Sequence, residues 1–339
     1  MLFSNALISL IAASVAINAS PMATRADDSF VSQLANKLKQ NGQTIFGSIL
    51  QGELNNDASA DLVNVLKTES VTLLVPENDA FDSSNPSIGD NPLNILAYSV
   101  IFGDIDTGFK RPNSSFSRRE PNENHIQGTS NYESPKRPEK KRWTSSNRNQ
   151  VVYFNQFVSG QRKRWDPVIY VDRPVDSAKV VQRFKFRNVF VLVVNRLLTL
   201  PTTVSDVLFK ALIPSTPNGF VKFGGGLQRV GLLDTVDNAH GITIFAPVDS
   251  AFDSVGDVSD DELASILKNH FYFGNPIGYS ALFPTLSPAT AESGKALEFA
   301  FEDGVSTVRC GNSKAQILRS DVTTDNGILH VIDKVMKCD

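Results

Sequence analysis

Apolar and polar positions along this chain follow two periods in turn. Phe30, Leu34 and Leu38, then Ile45, Ile49 and Leu50, recur at helical spacing, and residues 61–66 suggest another short helix. A β-branched, apolar run follows at 71–81 (VTLLVPENDAF), in which Pro76 removes a backbone donor and ends a strand. Residues 94–102 (NILAYSVIF) pass from helix to strand, and β-rich runs bounded by polar residues or proline fill 151–201. Helices are then expected at 204–212, with Thr203 or Ser205 near the cap, and at 227–236. A buried strand is expected at 242–247 (ITIFAP), with Asp249 or Ser250 capping the next turn, and a helix at 260–267 capped near Ser259. Phe271 to Phe273 and several short strands complete the chain.

The pattern occurs twice. Thr72, Pro76, Ala80 and Phe81 match Thr243, Pro247, Ala251 and Phe252 at an offset of 171, whereas residues 189–198 (VFVLVVNRLL) match 327–336 (GILHVIDKVM) at an offset of 138. Repetition on this scale means two copies of one domain. The first copy must hold about 33 more residues between its two markers. A polar, basic stretch at 110–150, with ten basic and four acidic residues and four prolines, supplies them and is expected to be an unordered insertion.

An apolar strand, Ala-Pro, an acidic residue and Ala-Phe, followed some 90 residues on by Gly-Ile-Leu-His-Val-Ile-Asp-Lys-Val, resembles the fasciclin I domain. Residues 230–236 (VGLLDTV) resemble the helix that this family places ahead of its first marker. The resemblance implies an α+β fold: two tandem fasciclin-type domains at 28–200 and 202–338, each a helical half packed on a wedge of short, mainly antiparallel strands. Pro76, Phe81, Pro247, Asp249, Phe252, His330 and Asp333 fall on structural positions of the family. The first copy departs from the pattern at Val75, where Ala is usual, and at Asn195, the counterpart of Asp333. The family also places a Tyr-His pair after the helix that follows the first marker. Here the second copy has Asn269-His270 and the first Tyr98-Ser99, so each keeps half of it.

Residues 2–19 form a short apolar run like a secretory signal peptide (1–19), with cleavage after Ala19 or Ala26. The run is too short and interrupted to span a bilayer comfortably, and the C-terminal KVMKCD has no hydrophobic tail for a glycolipid anchor. In an oxidising compartment Cys310 and Cys338, the only cysteines, pair; the alternative is two free thiols. Asn113-Ser114-Ser115 is an N-glycosylation acceptor. Basic runs ending at Arg119, Arg142 and Arg164 are either processing-protease sites or parts of a solvated loop, and the same charge would attract an anionic glycan or lipid headgroup. A net charge of -3 and few aromatics near the loop argue against nucleic acid.

Gly-x-Ser-x-Gly, His-Glu-x-x-His, a P-loop and Arg-Gly-Asp are absent, Gly224-Gly225-Gly226 reads as a loop, and no catalytic residue, metal or cofactor is expected. Composition and resemblance together point to a non-enzymatic secreted or cell-surface adhesion or interaction protein, its partner a protein or a cell-surface or wall polysaccharide. A vacuolar protein acting in membrane fusion or turnover and a polyanion-binding module are the alternatives.

Overall fold

The computed structural model describes residues 24–82, 89, 91–105, 118–120, 123–133, 149–157, 168–171, 177–210, 220–274, 276–284, 286–302 and 305–338. The expected leader at 1–19, Asn113, Arg142 and Arg164 lie outside these residues, and only the backbone of Arg119 is described. The first copy runs α1 (Thr24–Gln40), α2 (Thr44–Glu53), α3 (Ala60–Thr68), β1 (Val71–Pro76), α4 (Pro92–Ser99), β2 (Val100–Phe102), β3 (Arg118–Glu120), β4 (Glu123–Glu133), β5 (Asn149–Phe157), β6 (Val168–Val171), β7 (Ala178–Phe186) and β8 (Val189–Val194). The second runs α5 (Val204–Phe209), α6 (Val221–Arg229), α7 (Leu233–Asp237), β9 (Ile242–Pro247), a 3₁₀ turn (Asp249–Ser254), α8 (Asp260–Lys268), β10 (Phe271–Phe273), β11 (Ala289–Thr290), β12 (Ala296–Glu302), β13 (Val305–Cys310), β14 (Ser313–Thr323) and β15 (Gly327–Ile332). A cut after Ala26 would fall within the first turn of α1.

The repeated markers become the centre of each sheet. All six residues of β1 and of β9 are buried, as is typical of a strand covered on both faces, where apolar runs replace alternation. β1 pairs in parallel with β8 from Val71↔Val189, and β9 with β15 from Ile242↔Gly327, so the two offsets seen in the sequence are one register repeated. On its other side β1 pairs antiparallel with β2 (Val71↔Phe102) and β9 with β10 (Ile242↔Phe273), again in identical register. The strand orders are β2-β1-β8-β7-β6-β5-β4-β3 and β10-β9-β15-β14-β13-β12-β11, with the remaining pairs antiparallel. Helices pack on one face of each sheet: Leu34, Leu38 and Phe46 join Val71, Leu73 and Val75 in the first core, and Val207, Phe223 and Leu267 join Ile242 and Ile244 in the second.

Three expectations need correction. The insertion at 110–150 is not one unordered loop, because β3, β4 and the start of β5 lie within it. β4 pairs with β5 from Glu123↔Phe157 to Glu133↔Asn149, and backbone pairing of this kind does not require apolar side chains. Val152 and Phe154 of β5 face the core, and a partner strand covers an edge that would otherwise be open. Gly224-Gly225-Gly226 is not a loop but the middle of α6. There the absent Cβ atoms allow close helix approach: one on Gly224 would lie 2.9 Å from the Phe209 ring, and one on Gly226 would lie 3.3 Å from Leu267. Residues 227–236 are not one helix, since Gly231 at φ 71° separates α6 from α7.

The copies meet at the linker. The Asp325 N–H donates to Thr202 O at 2.9 Å, and the amide of Gln150, at the base of the insertion, donates to Thr324 O at 3.2 Å and Asp325 O at 3.1 Å.

Candidate functional site

Most of the residues that stand out in the sequence hold backbone in place. Thr72 and Thr243, both fully buried, use their hydroxyls on the loop after the adjacent strand: Thr72 donates to Gly103 O at 2.8 Å, and Thr243 accepts the Gly278 N–H at 2.8 Å. Asp249 caps a helix, but not the turn it begins. Its Oδ1 accepts the Lys222 N–H at 2.9 Å, at the start of α6, and Asn78 does the same for Ile45 at 3.1 Å at the start of α2. Asp333 Oδ1 accepts the Gln316 N–H at 2.7 Å, and Asn195 Oδ1 accepts the Lys179 N–H at 2.8 Å. The substitution at Asn195 therefore keeps the role of Asp333, because both side chains offer a carbonyl-type oxygen. Pro76 and Pro247 end strands opposite Val194 and Ile332, and Phe81 and Phe252 fill the helical cores.

One pair of residues had no flag in the sequence. The Asn326 amide, fully buried, reaches Val236 O at 2.8 Å, Ala239 O at 3.2 Å and Asp237 O at 3.3 Å. Asn188, just before β8, reaches Leu66 O at 3.0 Å and Glu69 O. Each ties the end of the preceding helix to the central strand pair. An Asn directly ahead of both second markers was the available signal.

The split Tyr-His pair is buried in both copies. His270 is fully buried, its Nδ1–H donating to Ile266 O at 2.9 Å and its Nε2 accepting the Met336 N–H at 2.9 Å. Burial lowers its pKa to about 4, against the opposing pull of its backbone hydrogen bonds to Ile266 and Leu267, so the ring is neutral at pH 7. Asn269 fixes the same tail by donating to Met336 O at 3.0 Å. In the first copy Ser99 donates to Ile95 O at 2.8 Å, the counterpart of the Ile266 contact, and Tyr98 sets its ring edge-on to Tyr132 at 6.5 Å. Burial and the nearby Asp325 carboxylate raise the Tyr132 hydroxyl pKa.

His330 has the opposite tautomer, with Nε2–H donating to Gly278 O at 2.8 Å and Nδ1 accepting the Asp321 N–H at 3.3 Å. Its ring lies 5.2 Å from those of Phe245 and Phe283. Asp321, at φ 63° in a bulge of β14, turns inward to accept from the Ser280 N–H at 2.9 Å and from the Ser280 hydroxyl. Both ring nitrogens of each buried histidine are thus committed to backbone, and neither is left for a proton relay or a metal. Among the described residues no group of three or more His, Cys, Asp or Glu is placed to hold a metal ion, and no helix is long and apolar enough to cross a membrane.

Cys310 and Cys338 are joined in a disulfide with their Cα atoms 5.0 Å apart, tying the end of β13 to the tail that His270 and Asn269 grip. Concavities open among the described residues of the second copy. One, of about 520 Å³, lies between α6, the Asp249–Ser254 turn and α8. Gly225 and Phe252 help to line it, and the half-exposed ion pairs Lys222–Asp253 and Arg229–Asp260 stand nearby. Another, of about 460 Å³, opens beside β10.

Residues 218–338 match the family model described as "Fasciclin domain", and the repeated register gives the first copy the same central frame as the second. The chain is similar to a "Fasciclin-like arabinogalactan protein" of Arthroderma benhamiae (29% identical over 44% of this chain and 33% of the relative). It is also similar to "Fasciclin-like arabinogalactan protein elcF" of Phaeosphaeria nodorum (29% identical over 36% and 38%). The "Transforming growth factor-beta-induced protein ig-h3" of Sus scrofa is 29% identical over 46% of this chain and 22% of its own length. The matched stretch thus spans well under half of each relative. A solved FAS1 domain pair from the insect cell adhesion molecule fasciclin I aligns over 88% of this chain and 98% of its own at 20% identity, with a TM-score of 0.36.

Proposed function

We propose that the protein is a non-enzymatic interaction protein of the cell exterior, secreted or held at the cell surface, with its two copies serving as a scaffold for adhesion. One observation carries this reading. The side chains best suited to chemistry, His270, His330 and Asp321, are buried and bonded to the chain itself, which leaves binding to the surface. The names of the fasciclin-like relatives support it, as does a disulfide of the kind that persists in oxidising compartments. The test has two parts. Intact mass and fractionation of the native protein should find it outside the cell or at its surface, with its leader removed. The purified, immobilised chain should then retain cells or wall polysaccharide of its source above an albumin control. An intracellular pool with no retention on either support would refute the proposal.

A further inference from the structure

The two copies differ at the place where each sheet comes back on itself. In the first copy β4 returns to β2 through an antiparallel bridge, Ile101↔Ser130, which closes the sheet. The counterpart of Ile101 in the second copy is Tyr272, since β2 and β10 share one register on their central strands. There the return is only half made. The Glu292 N–H donates to Phe271 O at 2.9 Å, but β11 is two residues long and, among the described strands, β10 pairs with β9 alone.

The backbone polarity of β10 follows from its bonds to β9. The Phe245 N–H donates to His270 O and the Gly274 N–H to Gly241 O, so the alternation of an antiparallel ladder turns Tyr272 toward β9 and the amide of Phe273 outward. The cleft of about 460 Å³ opens at this edge, between Tyr272, Phe273 and Pro276 on one side and Leu286, Pro288 and Thr290 on the other. Proline at 284 and 288 cannot donate to a ladder, which accounts for the shortness of β11. Phe273 is 36% exposed, and among the described residues none that lines the cleft carries a formal charge.

We propose that this cleft is a strand-addition site, taking an uncharged, extended segment of a partner polypeptide along the outer edge of β10. The first copy identifies the class of occupant, because the same edge there is bonded to an extended backbone, the β4 segment around Ser130. Main-chain bonds to the Phe273 edge supply affinity, and side chains entering between Phe273 and Leu286 supply selectivity. The inference goes beyond the adhesive reading and does not depend on where the protein resides.

The probe is a capped, labelled peptide of residues 126–132 (IQGTSNY), the uncharged core of β4. Titrated into the full oxidised chain, it should bind saturably and slow amide exchange of Phe273 at least tenfold, with no change at Phe102. N-methylation of alternate peptide amides, or Phe273→Arg at the exposed edge, should weaken binding at least tenfold without altering the melting of the chain. The proposal is overturned by no saturable binding at millimolar peptide, by binding that survives N-methylation, or by protection at Phe102 instead of Phe273. Self-association of the peptide-free chain that protects Phe273 overturns it in favour of a second copy of this chain. Loss of cell retention with peptide binding intact would refute only the adhesive reading.

Discussion

The two copies share a central frame and differ in how they fasten its periphery. In both, a six-residue buried strand is flanked in the same register by a parallel and an antiparallel neighbour, with an Asn clamp and an Asn or Asp cap at matching positions. Around that frame the second copy secures its tail with a disulfide and two buried polar side chains, Asn269 and His270. The first copy has the smaller Ser99 and an aromatic contact, Tyr98 on Tyr132, and spends its extra length on a strand that closes the sheet. Strand geometry at the centre tolerates little change, whereas the ends of a sheet can be secured by covalent, polar or β-strand means.

Reducing the disulfide should have the largest effect. It closes a loop with a sequence separation of 28, so its loss should cost roughly 3–4 kcal/mol. Denaturant melts with and without reductant measure this; an unchanged midpoint would mean that His270 and Asn269 alone hold the tail. Next is His270→Ser, which copies Ser99 into the second frame. It removes the acceptor for Met336 N–H and opens a cavity, costing about 3 kcal/mol at pH 7.

The same variant also tests a pH effect. Above pH 6.5 the imidazole is neutral whether the chain is folded or not. Between pH 6.5 and about 4 only the unfolded chain takes up the proton, so the wild type should lose about 3 kcal/mol over that window and the variant should not. Equal acid sensitivity in both proteins would assign the loss to other groups.

A smaller contrast is expected between the clamps. Asn326→Ala strips partners from buried carbonyls and should cost about 2 kcal/mol, whereas Asn188→Ala, half-buried with fewer acceptors, should cost about 1 kcal/mol. Chemical denaturation of the two variants would rank them, and equal costs would show the clamps to be equivalent. The smallest effect changes sign within α6. A Cβ on Gly225 meets open space, so Gly225→Ala should add about 1 kcal/mol of stability, while Gly224→Ala must displace Phe209 and should destabilise. A gain at both positions would mean that α6 is not packed closely on α5.

What the sequence made legible was whatever depends on local pattern. The apolar markers and their prolines place the central strands, and the offsets of 171 and 138 show that both copies repeat one plan, although the parallel pairing of the two markers was not legible. Partnerships across the fold were hidden. Nothing near Asp249 shows that it caps a helix starting at Val221, and nothing near His270 shows that its acceptor nitrogen serves Met336. β4 was illegible for another reason. Its sequence, ENHIQGTSNYE, has no period-2 alternation, and its order comes from the edges of β5 and β2. The triple glycine misled because glycine marks loops by default, whereas here it serves close helix packing.

The disulfide also decides how the protein bears a load. A pull on the C-terminus passes from Cys338 into Cys310, at the end of β13, and not into β15. β14 and β15 lie inside the covalent loop, so tension cannot peel them away in sequence. Roughly 90–100 Å of chain is thereby withheld from extension at about 3.4 Å per residue. Under traction the second copy is a short tether that yields late, and in a reducing medium the same copy becomes a long one.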